Sequence, residues 1–460
     1  MFHICFAANE NYIKYSAVLM SSIIKNTDNS RKFEDFFKIN ANREIMGGGK
    51  HNLKFNKSSL SAYKKLDFNS LNDDEKVEGF VFHILSDFIS ENSRQKLENL
   101  AKDLTLFYPC QIQIHICSDS IFDGLPKLNG NYMTYFRFFM LDFMPKNLRL
   151  CLYLDVDMIV FKDLRELFSL DLEDKIAGVI KDNLCFAQNI HKKNKFFKDF
   201  YFNAGFLLLN LKAYKQENIS KQCLSFLTSY KEKAILRDQD ALNFAISKDK
   251  ALIMPLEYNL LISVCDVCIA NDERKNFSID YTRKEINLAL LNPVILHFIM
   301  SDKNPWDNPY SYVDNKGKFL GIYWWDIALQ TPQFKDEFEK AFKMIQKTAL
   351  PQKEFENYVA FLVLNSLKSF FGCLKLPFVV YRVFKDKECG KVRVKNQINF
   401  TPNEQNLARG LFSITLKAYK KRYSGKLAWL LWRVLRIKAR FERYGSAKIT
   451  DETYCKKTLI

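Results

Sequence analysis

The chain has 460 residues, 48% apolar and 26% charged, with a net charge of +17. This composition excludes a disordered, collagen-like or low-complexity chain and leaves room for about two to three folding units. Its eleven cysteines hold one C-x-x-C spacing, Cys265 and Cys268, with no second pair, which argues against zinc and disulfide frameworks and for reduced thiols in a cytosolic protein.

The N-terminus, M-F-H-I-C-F-A-A-N-E-N-Y, lacks the basic start and long apolar core of a signal peptide. No run approaches the roughly 18 apolar residues that cross a bilayer. Residues 1–8 predict a strand, and Tyr12 to Asn26 a helix with an Asn/Thr/Asp stop. Residues 28–78 are rich in Lys, Asn, Asp and Ser, include Gly47-Gly48-Gly49, and read as an insertion, part-helical around Phe33 to Phe37. Regular patterning resumes at Gly79. Strands are predicted at Phe80 to Leu85, Gln111 to Ile116, Leu148 to Leu154, Ile176 to Ile180, Gly205 to Leu211, Leu252 to Met254 and Val294 to His297. Helices are predicted at Glu91 to Leu104, Tyr132 to Phe143, Ser220 to Lys233 and Asp238 to Ala245. This alternation predicts a parallel α/β sheet, closing near Trp306 to Leu320. The expected organisation is one unit over 1–330, carrying the 28–78 insertion, and a helical, basic region over 331–460.

The run Leu150 to Val160, L-C-L-Y-L-D-V-D-M-I-V, delivers Asp155 and Asp157 at the end of a buried strand. If the strand persists, both carboxylates point to one face and suit a hard divalent cation. Loop acids after a strand are an equal reading. In Y-F-N-A-G, Asn203 sits at the mouth of another apolar run, with Ala204 and Gly205 small enough for a ligand to approach the backbone. In R-D-Q-D-A-L-N, Asp238 is a candidate helix cap, and Gln239 is left to hydrogen-bond a ligand. His297 ends a strand, where a core histidine is common, but Lys303 follows six residues later and its ammonium suits a phosphate.

Together and in order, these motifs resemble glycosyltransferase family 8, the retaining GT-A enzymes that include bacterial lipooligosaccharide galactosyl- and glucosyltransferases and glycogenin. The resemblance covers residues 1–26 and 79–310: A-A-N-E-N-Y, Y-F-R-F-F-M, Y-L-D-V-D, F-N-A-G, D-Q-D-A-L-N and H-F-x5-N-P-W. It implies a GT-A fold, a Rossmann-like mixed sheet with flanking helices. It also implies Mn2+, with Mg2+ as alternative, on Asp155, Asp157 and His297, and a UDP-sugar donor. Ala7, Asn9, Asn11 and Tyr12 would meet the uridine. Arg137, Asp155, Val156, Asn203, Ala204 and Asp238 would meet the donor sugar or its phosphates, and Lys303 the diphosphate. Gln239 would lie below the anomeric carbon, with Gln239, Asp238 and Arg137 as the catalytic group, and Asp182 would contact the acceptor. The chain departs from the family pattern at Asn9, where Asp is usual, and in the His-to-Trp loop, with Met300 for a glycine and an added Asn304.

The implied reaction is hexosyl transfer, galactose or glucose, to a lipooligosaccharide- or lipopolysaccharide-type glycan, with a metal and Lys303 neutralising the leaving diphosphate. Gln239 is a poor nucleophile, which favours front-face attack. The alternatives are a non-catalytic sugar-nucleotide-binding or membrane-scaffold protein, which has no need of three metal ligands, and a nucleotidyltransferase, which leaves F-N-A-G with D-Q-D unexplained. Between Arg409 and Arg443 stand eleven Lys/Arg against Glu442 alone, a local charge of +10. With Trp429 and Trp432 in L-A-W-L-L-W-R-V-L, this segment predicts an interfacial helix on anionic lipid, hence a cytoplasmic protein peripheral on the inner membrane. A solvated basic helix is the bland alternative. No nucleic-acid-binding motif accompanies the charge, so no nucleic-acid partner is expected.

Overall fold

The computed structural model describes residues 1–38, 59–127, 130–182, 197, 199–262, 281, 283–299, 304–310, 312, 314, 318–388, 400, 402–421 and 429–444. The Gly47–Gly49 run, Cys265, Cys268, Met300 and Lys303 lie outside these residues.

The described strands are β1 Phe2–Ala7, β2 Phe80–Ser86, β3 Cys110–Ile116, β4 Leu150–Leu154, β5 Met158–Val160, β6 Ala177–Lys181, β7 Phe202–Asn210, β8 Ala251–Ile253, β9 Leu260–Leu261 and β10 Ile295–His297. Seven of them form one sheet in the order β3-β2-β1-β4-β7-β6-β8, and β5-β10-β9 form a second. The inner strands read as unbroken apolar runs because both faces are covered. On β1, Phe2, Ile4 and Phe6 enter one core and Cys5 the other; on β4, Leu150, Leu152 and Leu154 oppose Cys151 and Tyr153 in the same way. β3 is the edge, and its exposed Gln111 and Gln113 register alternates polar with apolar.

The expected parallel sheet is corrected to a mixed one. β3, β2, β1 and β4 run parallel, but β7 is antiparallel to both β4 and β6. An apolar run predicts burial and carries no strand direction; direction depends on how the chain returns, and it brings β7 back beside β6 reversed. This mixed sheet with flanking helices is the architecture that the resemblance implied. β7 also starts at Phe202, three residues before the predicted Gly205, so the whole F-N-A-G motif lies in the sheet. Met133–Phe143 coils as a 3-10 helix with Tyr135, Phe136, Arg137 and Phe138 buried.

Beyond the sheets the chain is helical, as expected: Leu320–Ala328, Lys335–Ser366, Phe370–Glu388, Pro402–Lys420 and Leu430–Tyr444. The last four enclose a separate core built from Phe355, Val359, Val363, Leu376, Val380, Phe384, Leu411 and Val434. Helix Lys335–Ser366 reaches both cores, since Phe338 packs in the first and Phe355 in the last.

Candidate active site

β4 ends at Leu154 and β5 begins at Met158, so Asp155, Val156 and Asp157 form the turn between the two sheets. The expectation that one strand presents both carboxylates on one face is corrected here. Two separate ladders aim them. Asp155 N–H donates to Gly205 O at 2.9 Å, tying it to β7, and Asp157 O accepts from Phe298 N–H at 2.9 Å, tying it to the end of β10. His297 closes β10 opposite Met158 and is fully buried. One ligand atom from each of Asp155, Asp157 and His297 falls within 4.8 Å of the others. His297 Nε2 stands 3.1 Å from Asp157 Oδ1 and 3.9 Å from Asp155 Oδ2, yet it makes no aligned hydrogen bond.

A backbone donor dictates which ring nitrogen of His297 carries the proton. Gly205 N–H can only donate, and it meets Asn203 Oδ1 at 3.0 Å, which fixes the Asn203 amide. That oxygen also accepts from Asn259 Nδ2 at 2.9 Å, so Asn259 Oδ1 faces His297 Nδ1 at 2.8 Å. Nδ1 must therefore be an N–H, so in the neutral ring it is Nε2 that keeps the lone pair and faces the two carboxylates. Burial works against charge on this ring, but Asp157 and Asp155 outweigh it and hold its pKa above the ordinary value. At Asp157, burial pushes up and the His297 ring wins, so its pKa lies below normal.

Three observations show that this pocket fits a divalent cation. The buried Nε2 lacks an aligned hydrogen-bond partner. The donor set is two carboxylates and one imidazole, which admits Mn2+ more readily than Mg2+. Gly205 lines the pocket, where an added Cβ would lie 2.4 Å from His297 Cε1 and 2.7 Å from Asp155 Oδ2. The sequence predicts that Gly205 lets a bound ligand approach the backbone; in the structure the space above it is taken by the side chains of His297, Asp155 and Asn203.

Gln239 adjoins the same cluster. Its Oε1 accepts from Ala204 N–H at 3.1 Å and Asn203 Nδ2 at 3.2 Å, and its Nε2 donates to Asp182 Oδ2 at 3.1 Å. Asn203 Nδ2 also reaches Asp182 Oδ2 at 3.3 Å. Here too a backbone N–H, that of Ala204, sets the orientation of the amide.

Asp238 is the first residue of helix Asp238–Ala245, not its cap; the cap position is Arg237, which makes no side-chain cap bond. Arg237 sits at φ +50°, a conformation that costs a non-glycine residue on the order of 1 kcal/mol or more. Freed from capping, Asp238 turns to Arg137, whose Nε lies 3.2 Å from Asp238 Oδ2 and whose Nη2 lies 2.9 Å from Asp155 Oδ1. Arg137 Nη1 donates to Ala204 O at 2.6 Å. Burial pushes the Asp238 carboxyl up to about 6, with Arg137 pulling the other way and Asp155 adding to the rise. Arg137 is itself buried, but these carboxylates hold its charge.

The N-terminal motif completes the rim. Ala7 ends β1, Asn11 and Tyr12 are exposed, and Asn9 Oδ1 is buried with no hydrogen-bond partner among the described residues. Burial and then the Asp157 charge raise the pKa of the Tyr12 phenol above its ordinary value. Trp306 of H-F-x5-N-P-W stacks on Tyr15 at 3.9 Å and meets Tyr12 edge-on at 6.0 Å. Glu10 has a structural task, accepting from Ser90 and Ser93 at the start of helix Glu91–Thr105.

Sequence reasoning overlooked two members of the site. Asn259 precedes an apolar pair much as Asn203 opens its own apolar run, the one local signal it offers. Tyr153 donates to Asp155 Oδ1 at 3.1 Å and carries Arg137 Cζ 4.5 Å above its ring; its place inside an apolar run disguised it as core.

The sequence profile of glycosyl transferase family 8 matches residues 3–309. A lipopolysaccharide 1,3-galactosyltransferase of Salmonella typhimurium is 29% identical over 241 residues, covering 50% of this chain and 65% of that protein. A lipopolysaccharide glucosyltransferase, WaaO, of Escherichia coli is 26% identical over 295 residues, covering 61% and 81%. The crystal structure of an active-site mutant of LgtC superposes with a TM-score of 0.51 at 19% identity, covering 74% of this chain and all of that one, and so shares its fold. The chain belongs to glycosyl transferase family 8.

Proposed function

We propose that this glycosyltransferase is a retaining hexosyltransferase, moving galactose or glucose from a UDP-sugar to a lipooligosaccharide- or lipopolysaccharide-type acceptor. The observation that carries the reading is the continuous bonding of two clusters: His297–Asn259–Asn203 leads from the metal pocket directly to Gln239 and Asp182. The activities of the Salmonella and Escherichia coli relatives support the hexose and the acceptor class.

Asp155, Asp157 and His297 would hold Mn2+, which when bound supplies charge neutralisation to a leaving diphosphate. The rest of the work falls to side chains. Asn9 Oδ1, buried and unsatisfied, accepts the uracil N–H, and an amide serves this purpose as well as the family's usual carboxylate. Ala7, Asn11 and Tyr12 would border the uridine and Val156 and Ala204 the donor, and the resemblance gives Lys303, outside the described residues, to the diphosphate. Arg137, fixed by Asp155, Asp238 and Ala204 O, orients the donor without swinging. Gln239 Oε1 already accepts two hydrogen bonds. Both of its lone pairs are engaged, which suits an oriented dipole beside a cationic sugar and does not suit attack. The anomeric carbon then loses its phosphate oxygen and gains the acceptor oxygen on the same face, the hydroxyl proton passing to the departing diphosphate oxygen, with Asp182 next to the incoming hydroxyl.

In the same reading the protein docks peripherally on an anionic, cytoplasmic membrane face through residues 409–443. No described helix is long and apolar enough to cross a membrane. Trp429 and Trp432 are 69% and 45% exposed, whereas Leu430 and Val434 of the same segment are core, so the interfacial face is narrower than the sequence implies. The deciding assay is UDP release from a panel of UDP-sugars with and without Mn2+. Metal-dependent release from UDP-galactose or UDP-glucose is expected; no release from any UDP-hexose refutes the function.

A further inference from the structure

Helix Phe370–Glu388 has two apolar faces. One, with Leu376, Val380, Val383 and Phe384, is spent in the C-terminal core. The other carries Phe371, Leu374 and Phe378, which are 72%, 61% and 65% exposed. Lys375, Arg382 and Lys385 are exposed as well, and positions 371, 374, 375, 378, 382 and 385 follow the three-and-four spacing of a single helical stripe. A helix that merely meets water places polar groups there. Large apolar side chains flanked by cations on one stripe match a helix lying in a lipid headgroup layer. This helix packs against Leu430–Tyr444, on which Trp432 and Leu435 are exposed beside Arg433 and Arg436.

We propose that the Phe371–Leu374–Phe378 stripe is a second membrane-contacting face, and that its partner is an anionic lipid bilayer. The inference rests on the membrane reading given above but assigns a site outside residues 409–443. Charge selects the partner: the exposed stripe carries Lys375, Arg382 and Lys385 against Asp386, which lies 3.8 Å from Arg382, and the neighbouring segment adds a local +10. Apolar insertion by the stripe and attraction by the cations then act together, as stable anchoring of a peripheral protein requires two signals.

The test is co-sedimentation of the full-length chain with phosphatidylcholine vesicles, with and without phosphatidylglycerol. Four forms are compared: unchanged, Phe371→Ser/Leu374→Ser/Phe378→Ser, Lys375→Glu/Arg382→Glu/Lys385→Glu, and Trp429→Ser/Trp432→Ser. The stripe variant is expected to lose about tenfold or more of its partitioning onto anionic vesicles while releasing UDP at the unchanged rate, a check that it folds. Lys375→Glu/Arg382→Glu/Lys385→Glu is expected to lose binding likewise, without altering any apolar residue. If the stripe variants pellet like the unchanged chain while the Trp variant does not, the stripe is refuted and the tail stands. If the unchanged chain ignores anionic vesicles, both fail. If the stripe variant instead dissociates a dimer in light scattering and still binds vesicles, the stripe is a contact between copies and the proposal is overturned.

Discussion

The junction of the two sheets and the C-terminal helices invert the usual rule of burial in opposite ways. At the junction, Asn203, Asn259 and His297 are wholly buried, and Arg137 and Asp238 nearly so. On the helices, Phe371, Phe378 and Trp429 stand in solvent. Buried polar groups cost stability unless they find partners, and here they bond chiefly to one another, with the Asn203 amide fixed by the backbone N–H of Gly205. Exposed aromatics cost little in water and gain only when something covers them. The first region is built to be exact without a ligand, the second to wait for a surface.

The sharpest way to break this contrast is at the metal pocket. Asp157→Ala or His297→Ala is expected to lower UDP release by about a thousandfold with little loss of folding; near-normal turnover in either would remove the pocket from catalysis. Gln239→Ala should reduce kcat by about a hundredfold at nearly constant donor affinity, and an effect confined to KM would argue against its place beside the reacting carbon.

Asn259 separates the two arms of the buried network. Asn259→Ala should weaken Mn2+ binding by about 10–100-fold, measured by titration calorimetry, because the His297 tautomer is no longer fixed. Asn259→Asp can still accept from His297 Nδ1–H but cannot donate to Asn203, so it should hold Mn2+ and lose turnover. Equal behaviour of the two variants would refute the relay.

The smallest effect is expected in a second buried polar array. His3 Nδ1, His83 and His115 Nε2 are joined at 2.8 and 2.9 Å across β1, β2 and β3. Burial depresses His3 to about 4 and His83 to about 3. Their folded pKa values lie below the ordinary 6.5, so the unfolded chain takes up protons that the folded chain refuses. Stability is complete above pH 6.5 and falls as pH drops toward 4, by about 2 kcal/mol at pH 5 for His83 alone. Urea midpoints at pH 7 and pH 5 should differ accordingly, and His83→Gln should flatten the difference.

Much of the site was legible in the sequence because its members sit at ends of strongly apolar strands. The runs around Leu152, Leu207 and Ile295 announce burial, and a polar residue breaking off such a run is conspicuous. Strand direction was not legible: β7 and a parallel strand have the same apolar signature. Nor was the turn between β4 and β5, since Met158, Ile159 and Val160 continue the pattern of Leu150–Leu154 although they belong to another sheet. Asn259 and Tyr153 were hidden because their importance lies in contacts with residues 38 positions later and 16 earlier, His297 and Arg137. The stripe at Phe371 was unreadable for a plainer reason: periodicity marks apolar faces, and this helix has two, with nothing local to say which one the core takes.

The 32-residue helix Lys335–Ser366 has a consequence for reach. It extends about 48 Å at 1.5 Å per residue. Its first turns are clamped to the sheet unit by Phe338 and by Glu337 with Lys14, and its last turns belong to the C-terminal core. No slack linker separates the two. With the C-terminal core on a surface, as proposed above, the length of this helix and its course through Pro351 would together set the standoff of the sugar site. Acceptor selection would then depend on length as well as chemistry, because only a saccharide whose end stands at that height can be extended.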